Sequence, residues 1–200
     1  MKKGFTLIEL LVVIAILAVL ATATVLVLNP AELLKQGRDS TRISDLSALN
    51  SAISLWVSDV LNGQSASAWG SNGGLWGTGI GRYCTGVTTQ PGTVTSAVCT
   101  VASSTVTTGT GWVPINFGLI AAGSPLSKLP LDPNNNVTNC KATLTTCEYV
   151  FNASSTLGVY KLAANMESAK FFTGGSAHIT DNDGGSDNSW YEVGSNLTQW

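Results

Sequence analysis

The chain has 200 residues, a mean hydropathy of +0.23, 11% charged residues and a formal net charge of −2. That length allows one long helix and one modest globular domain, not two large ones. The weakly acidic balance makes nucleic acid a poor default partner, because such affinity comes mainly from Lys and Arg on phosphates.

The N-terminus dominates the pattern. Lys2 and Lys3 precede Gly4, and Phe5 opens a run of 24 residues whose only charge is Glu9. As a helix, residues 5–28 extend roughly 36 Å, enough to cross a bilayer core of about 30 Å, with the lysines on the cytoplasmic side. An ordinary secretory signal has a shorter apolar region before a small-residue cleavage site. Ala21-Thr22-Ala23 could serve as one, but the apolar run continues past it. A carboxylate inside such a span is costly and faces a partner. A membrane-depth cation would suit it.

The stretch Lys-Gly-Phe-Thr-Leu-Ile-Glu-Leu, residues 3–10, resembles the class III signal of type IV pilins and pseudopilins. The resemblance implies cleavage between Gly4 and Phe5 by a prepilin peptidase and N-methylation of Phe5. It further implies that Glu9 pairs with the Phe5 amine of a neighbouring subunit in a helical homopolymer, raised by an assembly machinery in the inner membrane. Localisation is then single-pass in the cytoplasmic membrane before assembly and an extracellular filament afterwards.

Asn29-Pro30-Ala31-Glu32 is the first punctuation. Proline lacks a backbone donor and biases its predecessor away from helical angles. Asn as a cap and Pro at the first helical position signal a fresh start, so a kink or break is expected near residues 26–30. Beyond it, Ile43, Leu46, Leu49, Ile53, Trp56 and Val60 recur at helical spacing, an apolar stripe for packing on the following domain. Lys35, Arg38, Asp39, Arg42, Asp45 and Asp59 occupy the remainder and read as a solvated or subunit-facing charged face. Asn62-Gly63 ends the helix.

Residues 63–133 read as a long loop region rich in Gly, Ser and Thr, with strand-like β-branched content over 100–108. Four cysteines in an exported domain argue for disulfides, and Cys84–Cys99 with Cys140–Cys147 is the simplest of three connectivities. A four-thiolate zinc site is the rival, without CxxC spacing to support it. Ser124-Pro125-Leu126 and Leu129-Pro130-Leu131-Asp132-Pro133 resemble the Leu-Pro-x-Asp-Pro segment of type II secretion major pseudopilins, with Asn134 where that family usually has tryptophan. A small C-terminal sheet is expected next. Segments 148–152 and 159–164 flank ASSTLG as a hairpin, residues 170–172 continue or flank it, and 190–193 form a last strand. The expected fold class is α+β, a long N-terminal helix on a small antiparallel sheet.

Asp181, Asp183 and Asp187 fall in one Gly- and Asn-rich loop. They suit either a plain acidic turn or a calcium site, and calcium takes six to eight oxygens. The resemblance to major pseudopilins adds weight to calcium; no other cofactor is expected. A single histidine, His178, rules out multi-histidine metal chemistry, and no GxSxG, Walker or HExxH motif is present. The expected function is a structural subunit, a major pilin, rather than an enzyme. A type II secretion or competence pseudopilin is the alternative. A membrane-anchored binding domain or enzyme is the alternative of a different class, but a mere tether needs neither Gly4-Phe5 nor Glu9.

Overall fold

The computed structural model describes residues 4–61, 80–85, 100–101, 104–137, 140, 147–154 and 158–198. Helix α1 spans Leu7–Leu28, and helix α2 spans Pro30–Trp56 and closes in a π-helical segment, Val57–Leu61. Five strands follow: β1 (Ile80–Cys84), β2 (Thr100–Val101), β3 (Tyr149–Ser154), β4 (Val159–Asn165) and β5 (Trp190–Gly194). The fold is α+β, one long N-terminal helical arm packed on a small sheet, as in a type IV pilin.

The helical arm is interrupted where the sequence is punctuated. Asn29 takes the left-handed conformation, φ 39° and ψ 74°, between the two helices, and Pro30 opens α2. Asn is one of the few non-glycine residues that tolerates this region. Its side chain makes no capping bond. Instead its carbonyl accepts from Glu32 N and Leu33 N, so the backbone ladder resumes at once.

The sheet order is β2-β1-β3-β4-β5. The β1-β3-β4-β5 portion is antiparallel, with β3 and β4 forming the expected hairpin from Tyr149↔Ala164 to Ser154↔Val159. Gly158 turns it with φ 67°. Two expectations are corrected. The stretch read as loop contributes β1, and β2, at the start of the strand-like segment 100–108, pairs parallel to β1 rather than antiparallel. Residues 170–172 form a turn rather than a strand.

Strand β3 is buried along its whole length because both of its faces are covered. Tyr149, Phe151 and Ala153 face α2 with Tyr160, Leu162 and Ala164, meeting Leu46, Leu49, Ile53 and Trp56. This is the predicted stripe, flanked by half-buried Ile43 and Val60. The segment 112–131 completes that core through Trp112, Val113, Ile115, Phe117 and Leu129. Buried tryptophans still satisfy their donors: Trp56 Nε1 donates to the Asn116 carbonyl at 3.0 Å and Trp112 Nε1 to the Pro130 carbonyl at 2.9 Å. On the other face, Val150, Ala163, Trp190 and Cys84 cluster beside a buried Lys161–Glu192 ion pair. Trp69 and Trp76 lie outside the described residues.

Candidate assembly site

The two halves of the arm have opposite environments. Among the described side chains of α1 the large apolar ones are exposed, from Leu7 and Ile8 to Val27 and Leu28, whereas α2 buries its stripe in the domain. Thr22 and Thr24 return their hydroxyls to the Ala18 and Ala21 carbonyls. Glu9 is therefore left as the charged exception on an otherwise apolar rod.

Glu9 is held at the start of that rod. Thr6 caps α1: its Oγ1 accepts from Glu9 N at 3.4 Å, while Glu9 Oε2 accepts from Thr6 N at 2.9 Å and from Thr6 Oγ1 at 2.8 Å. This reciprocal capping box satisfies donors that a helix start leaves open. It places the carboxylate one residue from Phe5, whose own side chain is exposed. Thr6-x-x-Glu9 has the sequence signature of a capping box, a signal masked by the apolar membrane run in which Glu9 sits.

A second cluster ties the arm to the domain. Arg42 is fully buried and donates to both oxygens of Asp132, from Nε at 2.7 Å and Nη2 at 2.8 Å. Its Nη1 donates to Asp39 at 2.7 Å and its Nη2 to Glu167 at 2.5 Å. Asp39 in turn accepts from Glu167 N and Ser168 N, and Arg38 donates to Glu167 at 2.5 Å. Burial opposes the charge on Arg42, but the hydrogen bonds and charges of Asp132 and Glu167 prevail and hold its pKa above the ordinary value. Burial pushes the Glu167 pKa up; donation from Arg38 and Arg42 outweighs this and leaves it below the ordinary carboxylate value.

This corrects the reading of Arg38, Asp39, Arg42 and Asp45 as a solvated face. Asp39 and Arg42 have no exposed side-chain surface, and half-buried Asp45 accepts from Tyr149 Oη at 2.7 Å. Their partners, Asp132, Tyr149 and Glu167, come from distant segments.

Cys140 and Cys147 are joined in a disulfide against this cluster. Cys140 Sγ lies 3.8 Å from Arg42 Nη2 and Cys147 Sγ lies 4.0 Å from Glu167 Oε1. Cys84 is also disulfide-bonded; Cys99 lies outside the described residues. Among the described residues, Cys140, Cys147 and Glu167 are the one trio of metal-type groups with ligand atoms within 4.8 Å of one another. The disulfide consumes the two thiols there.

The acidic loop is spread over separate turns. Asp181 Oδ2 accepts from Gly174 N and sits 3.1 Å from His178 Nδ1. Asp183 accepts from Gly185 N and Glu192 N, and Asp187 accepts from Ser189 N. Burial pushes the Asp183 carboxyl pKa up. Among the described residues, the oxygens of Asp181, Asp183 and Asp187 do not all lie within 4.8 Å of one another.

Residues 1–25 match the family model of the prokaryotic N-terminal methylation motif. This match is to the class III prepilin signal and is consistent with the type IV pilin and pseudopilin family. It covers Gly4, Phe5, Thr6 and Glu9 together with most of α1. Comparison with curated proteins and with solved structures gave no match.

Proposed function

We propose that this chain is the major subunit of a type IV pilus-like helical filament. The observation that carries the reading is the pairing of the methylation motif with an apolar helix exposed along its length and a single carboxylate at its start. A prepilin peptidase cuts between Gly4 and Phe5 and methylates the new amine. Before assembly α1 spans the cytoplasmic membrane; in the filament it is buried against copies of itself, and the finished filament is extracellular. A heterologous contact of this kind does not close and so propagates as a helix.

Exchange of lipid for protein around α1 brings no large hydrophobic gain, so close packing and polar contacts direct it. Glu9 supplies the directional contact by accepting the Phe5 amine of a neighbour. Thr6 satisfies the same carboxylate in the free subunit, and assembly exchanges that neutral donor for a cationic one. Charge-assisted bonds are roughly twice as strong as neutral ones.

The Leu129-Pro130-Leu131-Asp132-Pro133 segment favours a second reading, a type II secretion pseudopilin in a short periplasmic filament. The test is the yield of sheared filament from cells producing wild-type chain or Glu9→Ala at equal membrane levels. Loss of most of the filament is expected for Glu9→Ala; an unchanged yield refutes the pairing. Processed wild-type chain that never reaches the sheared fraction favours the pseudopilin.

A further inference from the structure

The base of the domain stands at a depth set by the helical arm. At about 1.5 Å per residue, Glu32 lies roughly 6 Å beyond Leu28 along the arm and Lys35 roughly 10 Å. The headgroup layer on one side of a bilayer is about 5–8 Å thick. The first two turns of α2 therefore emerge through it, with Leu33 and Leu34 exposed.

The loop after β4 is fastened at the same level. Glu32 Oε1 accepts from Ala169 N at 2.6 Å. Between the loop and α2 lies a cleft of about 410 Å³, lined by Glu32, Lys35, Glu167, Phe172, Thr173 and Gly175 among others, with the Glu167 carboxylate already paired to Arg38 and Arg42. Glycine is required at 175: a Cβ there would lie 2.2 Å from the Ala169 carbonyl oxygen and 2.5 Å from that of Lys170. Lys170 is exposed, with its ammonium 5.1 Å from the Phe171 ring. Among the described residues, Lys35 makes no ion pair, and Glu32 uses only Oε1 for the loop.

We propose that this cleft binds a zwitterionic phospholipid headgroup, of the phosphoethanolamine type, in the leaflet from which α1 emerges. Lys35 takes the phosphate and the free edge of Glu32 takes the ammonium. A cation and a carboxylate on one wall match a headgroup that carries both charges. The site keeps the domain seated on the membrane until the subunit is extracted into a filament. The inference rests on the reading of α1 as a membrane span.

The full chain in nanodiscs tests both. Hydrogen exchange is compared between discs of phosphatidylethanolamine with phosphatidylglycerol and discs of phosphatidylglycerol alone. Slowing of residues 168–176 by about fivefold in the ethanolamine discs is expected, lost in Lys35→Ala and in Glu32→Gln, which keeps the acceptor for Ala169 N. Equal exchange in both discs while α1 is protected overturns the headgroup site alone, as does slowing that survives both substitutions. Rapid exchange throughout α1 overturns the membrane reading and the site with it.

Discussion

Arg42 and Asp132, 90 residues apart in sequence, meet in a bidentate pair with no exposed side-chain surface. One end of the pair is on the helical arm and the other on the proline-rich connection that leads to the sheet. Asp39 and Glu167 complete the guanidinium's coordination, so each of its three nitrogens donates to a carboxylate.

Removing one member of such a pair leaves an uncompensated buried charge, which costs about 3–5 kcal/mol. Arg42→Met does this to the buried Asp39 and Asp132 carboxylates and is therefore expected to lower stability by at least that amount, measured by urea unfolding of the detergent-solubilised chain with tryptophan fluorescence. Replacing Arg42 and Asp132 together with Met and Leu should recover only the share due to Asp132, because Asp39 stays buried without its cation.

Glu167 makes the same junction sensitive to acid. Its pKa in the folded chain lies below its ordinary value of 4.5 because Arg38 and Arg42 outweigh burial. A depressed carboxylate contributes stability that is fully present above the unfolded value and is lost as pH falls through the folded one. The urea midpoint should thus fall as pH drops below about 4.5. Glu167→Gln should be less stable at neutral pH and flatten that slope. Asp45, raised by burial, acts in the opposite sense, so its contribution grows on acidification.

The Cys140–Cys147 disulfide closes a short loop against Arg42. Chain-entropy arguments give about 2–3 kcal/mol for a loop of this length. Cys140→Ser with Cys147→Ser should cost that much in urea unfolding. It should also speed hydrogen exchange at Glu167 and Ser168, whose amides donate to Asp39. Unchanged exchange there would show that the disulfide and the ionic cluster are independent.

What could be read from sequence followed from how local each signal was. The membrane run, the break at Asn29-Pro30, the stripe from Leu46 to Trp56 and the β3–β4 hairpin all depend on neighbours within a few residues. Strand β1 escaped because Ile-Gly-Arg-Tyr-Cys has no clear alternation; its identity comes from pairing with β3, some 70 residues on. The burial of Asp39 and Arg42 escaped for the same reason. An i,i+3 acid–base pair on a helix looks solvated until Asp132 and Glu167 arrive from elsewhere in the chain. Local patterning carries no information about that arrival.

The most direct measurement is the intact mass and N-terminal residue of the protein in filaments sheared from cells. The pilin reading predicts a chain that begins at N-methylated Phe5, lacks residues 1–4 and contains the Cys140–Cys147 disulfide. Chain that begins at Met1, remains with the cells and yields no sheared filament would contradict it and leave α1 as a simple tether.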